Sequence, residues 1–390
     1  MSSKREARPE SVLVMQGGGS LGAYECGVYK ALEKNNIKFD ILAGTSIGGI
    51  NAAIIAGCKN DEPARSLEDF WLHLAETVTP SFLPDKIRQY WSWLYSATWG
   101  NKNMFQPIWL IPNLAVMTLN HPYLYDNTPL KKTLNDYIDF KNLKNPSRPR
   151  LLITTTDIQR GKPTVFDSKI HNINENHVLA SGGFPFYGIS WTKIDGQYHW
   201  DGSLLSNTPL REVIDASPKR DKNVYIVNLF PHDHEPIPQN MFESWHRARD
   251  IMHTDKTDHN VKMSKIVTRQ LSLIKTMHEI LESSKLDEKN AKKFKETEPE
   301  YNKIVTDRGA VIRQITRIGR KEDAHFLFED ADFSLVTIKK LIDVGEKDAE
   351  AVLQKDAKAT LQKDIDAILQ KDAKAIMQKG TKGVLQKLAK

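Results

Sequence analysis

The segment Gly44-Thr45-Ser46-Ile47-Gly48 has the spacing G-x-S-x-G. A serine with a glycine two residues away on each side can occupy a sharp turn with its hydroxyl clear of the backbone, because neither glycine brings a Cβ to collide. Ser46 is therefore a candidate nucleophile, with Gly44 and Gly48 forming its elbow. The same serine could instead simply cap the apolar helix that follows. A serine hydroxyl reacts only when a base removes its proton. Asp201, within Trp200-Asp201-Gly202-Ser203, is a candidate base, although an Asp-Gly pair on its own reads as a turn. A third segment, Gly17-Gly18-Gly19-Ser20-Leu21-Gly22, can turn tightly and aim several N–H groups at one point. A helix opening behind it adds positive potential. Such a cradle holds an anion, either a phosphate or the transient oxyanion of acyl transfer. Its spacing also satisfies G-x-G-x-x-G, the pattern of dinucleotide sites. That use requires an acidic residue at the end of the second strand, and Asp40 stands at its beginning.

These segments need a scaffold, and the surrounding sequence supplies one. Ser11 to Met15 is a short apolar run ending in glycines, which predicts a buried strand. Leu21 to Lys34 has helical spacing, Phe39 to Ala43 predicts a second strand, and Ile47 to Gly57 a nearly wholly apolar helix. Strand–helix–strand–helix at this spacing predicts an α/β fold with a largely parallel sheet. Arg150 to Thr155, Gly196 to Trp200 and Val224 to Phe230 are further strand candidates. The catalytic-type motifs thus fall within residues 11–235, after a polar lead at 1–10. Residues 60–148 differ in character and predict an insertion outside the sheet. Trp91, Trp93, Trp99 and Trp109 cluster there among tyrosines and prolines. From about Asn240 the chain is polar and rich in Lys, Asp and Glu, which predicts a helical extension over 236–350.

The final segment, 351–390, repeats LQKD-like units every eight residues and carries nine Lys against four Asp. Most of the chain's net charge of +6 lies there. Eight residues overshoot two helical turns by roughly 80°, so an apolar stripe would wind around the helix and disfavour a heptad coiled coil. A solvated appendage and a contact with an anionic membrane both fit this tail.

Hydrophobic residues make up 40% and charged residues 27% of the chain, which excludes a mostly disordered protein and a polytopic membrane protein. The two uncharged stretches, Ile41 to Cys58 and Asn103 to Tyr125, are broken by glycines and by prolines respectively, so neither predicts a spanning helix. The modest charge excess does not call for a nucleic acid. Two cysteines, Cys26 and Cys58, exclude a disulfide scaffold and predict buried reduced thiols. The lead MSSKREARPE has no apolar core of a signal peptide, so a cytoplasmic or peripheral membrane location is expected, with signal-less export left open. His232-Asp233-His234-Glu235 has ligand-like spacing but no third group, and no metal is expected.

A glycine-rich loop, then G-x-S-x-G, then D-G after a strand resembles the patatin-like phospholipase family over roughly residues 10–235. Leu151 to Phe166, Ala180 to Phe184 and Asp201 to Leu210 share in the resemblance, and Gln16 to Ala31 is most similar to bacterial members. The resemblance implies a three-layer α/β/α sandwich and a Ser–Asp dyad that works without histidine or cofactor. By it, Ser46 is the nucleophile, Asp201 the base, and Gly17, Gly18 and Gly19 supply oxyanion-hole amides. Phospholipids or other acyl esters are the implied substrates. Here Ser20 and Leu21 follow the glycines where many members carry Arg or Lys, and Ser203 replaces the second glycine of D-G-G. A transacylase with the same dyad, or a nucleotide-binding module using the glycine loop, are the alternative readings. The tryptophan cluster fits either a lid that dips into a lipid surface or a small core of its own.

Overall fold

In strand β1 (Glu10–Met15), successive side chains enter two separate cores: Leu13 and Met15 one, Val12 and Val14 the other. This alternation arises because a strand points its side chains to opposite faces, and here both faces are covered by helices. The computed structural model describes residues 8–110, 121–231, 237–307, 311–321 and 329–359. Strand β2 (Ile41–Thr45) divides in the same way, with Leu42 on one side and Ile41 and Ala43 on the other. The result is the three-layer α/β/α sandwich expected.

The remaining strands are β3 (Arg150–Asp157), β4 (Lys162–Asp167), β5 (Thr192–Ile194), β6 (Gln197–Asp201), β7 (Lys222–Asn228) and β8 (Ile312–Gly319). They form one sheet in the order β8-β7-β1-β2-β3-β6-β5, with β4 also pairing with β3. The pairs from β8 through β3 are parallel, whereas β4, β5 and β6 join antiparallel. Because β8 comes from the C-terminal extension, that region is not purely helical as its composition predicts.

Helices α1 (Gly22–Lys34), α2 (Ile47–Gly57) and α3 (Pro63–Leu74) cover one face. Asn51 on α2 ties the three together. Its Nδ2 donates to the Gly22 carbonyl (3.0 Å) and to Glu25 (2.8 Å), and its Oδ1 accepts from Trp71 Nε1 (3.1 Å). Leu67, Phe70, Trp71 and Leu74 of α3 are fully part of this core. The region 60–148 therefore begins as structural core and ends in it too, because Leu130 and Leu134 of α5 (Pro129–Tyr137) join the same cluster. Between them lie α4 (Asp85–Trp99) and a two-strand ribbon pairing Gln106 with Asp126. Next along the chain come α6 (Glu175–Ser181) and α7 (Leu210–Asp215). Leu210 and Val213 of α7 fill the second face together with Val261 of α8 (Met241–Ser283).

Helix α9 (Glu288–Asp307) folds back on α8, where His278 stacks on Tyr301 at 3.7 Å. Helix α10, residues 335–359, packs on α1 through two glycines. A Cβ on Gly27 would lie 1.8 Å from the Ile342 carbonyl oxygen, and one on Gly345 would lie 2.1 Å from that of Tyr24. The C-terminal extension is thus stitched into the sandwich at β8 and α10. Cys26 and Cys58 are free and buried. No described helix is long and apolar enough to cross a membrane. The Lys-rich repeat beyond residue 359 and the His-Asp-His-Glu segment within 232–236 lie outside the described residues.

Candidate active site

Ser46 has φ 56° and ψ −128°, in a region that costs a non-glycine residue about 1–3 kcal/mol. Its neighbours show why the turn needs glycine on both sides. A Cβ on Gly44 would come within 2.2 Å of the Gly48 carbonyl oxygen, and one on Gly48 within 2.5 Å of that of Met15. The Ser46 side chain does not cap α2, so the helix-cap reading falls away. Instead the Ser46 amide donates to Ser181 Oγ (2.8 Å), whose own hydroxyl donates to the Thr154 carbonyl (2.8 Å). Ser181 thereby anchors the elbow to β3.

The sheet register brings Asp201 to the same place. On β3, Thr154 pairs with Thr45 of parallel β2, and the next residue, Thr155, pairs with Asp201 of antiparallel β6. The carboxyl ends of β2 and β6 therefore meet head to head along one edge of β3. At the junction only glycine fits, because a Cβ on Gly202 would lie 2.4 Å from the Thr154 carbonyl oxygen and 3.0 Å from the Thr45 methyl.

Asp201 is buried, and its Oδ1 accepts from the Ser203 amide (2.8 Å) and hydroxyl (2.6 Å). Its Oδ2 has no completed hydrogen bond, yet the Ser46 hydroxyl lies close enough to favour its charged form. Burial pushes the carboxyl up to about 6, against the opposing pull of Ser203 and Ser46. Ser203 does not have a positive φ, so the turn accepts serine, and its hydroxyl becomes a partner of the carboxylate. Sequence reasoning did not assign it that role.

The glycine loop faces the same cavity. Gly19 has φ +56°, and a Cβ there would meet the Asp330 carbonyl oxygen at 2.2 Å. The Gly17 amide donates to the Asn207 carbonyl at 3.2 Å, while Asn207 Nδ2 donates back to the Gly17 carbonyl at 3.2 Å. The Gly17 N–H, one of the three expected to face an oxyanion, is thus engaged within the protein. Gln16 fixes the loop from below, where its Oε1 accepts from Leu229 and Phe230 amides and its Nε2 donates to Thr208 and to the His253 carbonyl.

Behind the loop, Ser20 Oγ donates to the Glu329 carbonyl (2.9 Å). Glu329 and Asp330 belong to a buried ion network with Arg249 and Arg320. Burial would raise the Glu329 carboxyl, but Arg320, His246 and Arg249 win and hold it at about 2. Tyr187 Oη donates to Asp330 (2.6 Å) from the opposite side.

These elements enclose a cavity of about 340 Å3, with Ser46, Asp201, Ser203 and Gly17 to Gly19 on one wall. The rest is mainly apolar, including Ile50, Trp93, Met104, Phe105, Leu130 and Phe333. Phe333, Asp330 and His253 come from the extension, and no motif in the sequence marked them. His199 is not at the cavity: it is buried against Phe166, with Nδ1 3.0 Å from Thr155 Oγ1. Asp40 is at the opposite end of β2, paired with Arg8 and accepting from the Ser11 amide. It cannot serve a ribose at the glycine loop. Among the described residues no group of His, Cys, Asp and Glu could hold a metal ion.

The Patatin-like phospholipase family model matches residues 13–214. The chain belongs to this family. Patatin-like relatives include the "cGAMP-activated phospholipase" of Vibrio cholerae, 28% identical over 226 residues, covering 51% of this chain and 55% of the relative. The protein of the same name from Escherichia coli is 25% identical over 248 residues, covering 56% and 61%. The chain thus matches between a half and two thirds of the length of these relatives. Among solved structures, VipD from Legionella pneumophila aligns over 90% of this chain and 68% of its own, at 14% identity and a TM-score of 0.36. The matched segment contains the glycine loop, the serine elbow, Asp201 and most of the cavity wall, while Phe230, His253, Asp330, Ala331 and Phe333 come from outside it.

Proposed function

We propose that this patatin-like protein is a lipid acyl hydrolase using Ser46 as nucleophile and Asp201 as base. The observation that carries the reading is the strained Ser46 elbow beside a buried, elevated carboxylate on the wall of an apolar cavity. Ser46 Oγ attacks the ester carbonyl while Asp201 Oδ2 accepts its proton. The amides of Gly18 and Gly19 stabilise the oxyanion, a kind of interaction worth about 2.7–4 kcal/mol per donor. The tetrahedral intermediate then collapses, Asp201 returns the proton to the departing alcohol, and the acyl group stays on Ser46. Water, deprotonated by the same carboxylate, clears the acyl-enzyme. The apolar wall holds the acyl chain.

An ordinary aspartate is a weak base, and the raised pKa of Asp201 improves it while leaving it ionised at neutral pH. A transacylase would follow the same path with an alcohol replacing water. Hydrolysis of an ester and phospholipid panel by the wild type and by Ser46→Ala tests the reading. The variant is expected to lose at least about 10^3-fold in kcat. Folded Ser46→Ala protein with wild-type turnover would overturn it.

A further inference from the structure

Helix α4 is turned inside out. Its Arg88, Ser92 and Ser96 are all nearly inaccessible, whereas Ile87, Tyr90, Trp91 and Trp99 face solvent. A surface helix normally buries its apolar stripe. The inward polar face has a reason. Arg88 donates to Asp85 (2.8 Å) and to the Leu83 carbonyl (3.2 Å) while lying beside Thr337 of α10. Two small serines then let the helix approach the cavity, which Trp93, Ser96 and Ala97 line.

The outward face has no such account among the described residues. Trp91 and Trp99 are 52% and 58% exposed. From Trp91 to Asn101 there is no charged residue, and Lys86 and Lys102 stand exposed at the two ends. The cavity also has an apolar, exposed rim: Leu124, Phe186 and Tyr187 line the cavity and are exposed, Phe186 by 75%.

We propose that α4 docks in the plane of a phospholipid surface, with Trp91 and Trp99 at headgroup level and Lys86 and Lys102 against phosphates. Tryptophan suits that depth, being apolar with one N–H. The helix spans 15 residues, about 22 Å, too short to cross a bilayer core of about 30 Å but suited to lie in its plane. The lipid surface fits better than a protein partner because the helix that carries the docking face also lines the cavity and has cations at both ends. The proposal rests on the acyl-hydrolase reading in that the mouth then opens where a lipid substrate lies.

The test uses full-length Ser46→Ala protein, so that no lipid is consumed and binding is read apart from turnover. It measures partition onto phosphatidylcholine vesicles containing phosphatidylglycerol, and tryptophan quenching by brominated phosphatidylcholine. The parent is expected to bind and be quenched. Adding Trp91→Ser and Trp99→Ser should weaken partition at least about tenfold, equivalent to about 1.4 kcal/mol. Trp245→Ser, at a 65% exposed position on α8, should not. Absence of parent binding, or equal binding by the double variant, would overturn the proposal. So would a dimer that the Trp91/Trp99 changes dissociate, because the face would then belong to a second copy. Failure of the hydrolase reading would appear separately, as loss of wild-type turnover on a soluble ester while vesicle binding persists.

Discussion

In the proposed mechanism, Asp201 sets the pH dependence of turnover. With its carboxyl at about 6, the base is about 91% ionised at pH 7 and about 9% ionised at pH 5. kcat/KM on a soluble ester should therefore fall about tenfold between these values, with a single ionisation near 6. An aspartate at its ordinary value would stay about 94% ionised at pH 5. Ser203→Ala sharpens the argument. It removes the 2.6 Å hydroxyl donor to Asp201 Oδ1 and leaves the main-chain donor at 2.8 Å. A hydrogen bond to a charged group contributes about 1.5–3 kcal/mol, which at 1.36 kcal/mol per pKa unit shifts the midpoint upward by about one to two units. The variant should be impaired about ten- to a hundredfold below pH 6 and approach the wild type near pH 9. Stopped-flow or plate-based hydrolysis of a chromogenic ester across pH 4–10, with fold checked by circular dichroism, measures this. A wild-type profile flat down to pH 5, or a Ser203→Ala midpoint that stays put or moves down, would refute the reasoning.

Two further outcomes follow from the same geometry. The folded-state carboxyl of Asp201 lies above its ordinary value, so its ionisation opposes folding. The cost is absent below about pH 4, grows between there and pH 6, and is complete above, where it reaches at most about 3 kcal/mol. Asp201→Asn should accordingly raise the thermal midpoint at pH 8 but not at pH 4, and equal shifts at both would contradict the assignment. Asn207→Ala removes the 3.2 Å bond to the Gly17 carbonyl, loosening the glycine loop without touching the cavity's apolar wall. It should lower kcat by up to about 10^2-fold with little change in KM, and a change confined to KM would count against that role.

Much of the site was legible because its constraints are local. Gly44 and Gly48 border the elbow where any Cβ would strike the backbone, and glycine is visible in a sequence. The run β1-α1-β2-α2 was readable for a related reason: Leu13 and Val14 face different cores, so the strand reads as continuously apolar. What was hidden depends on contacts between distant segments. Strand β8 lies at the sheet edge, with Arg313, Gln314 and Arg317 outward and a bulge between Ile312 and Gln314 that interrupts its alternation. Its sequence therefore resembles the polar helices around it. The engagement of the Gly17 amide depends on Asn207, and the cavity wall at Asp330 and Phe333 depends on the extension returning to the glycine loop. The aromatic cluster resolved unevenly: Trp93 faces the cavity, while Trp91 and Trp99 face outward.

Reaction of the purified protein with a fluorophosphonate, followed by intact mass and peptide mapping, tests the central assignment most directly, because such a probe records an activated serine without any lipid. A single adduct on Ser46, formed far more slowly in Asp201→Asn, is the predicted result. An adduct on another serine, or equal labelling rates in the two proteins, would contradict it.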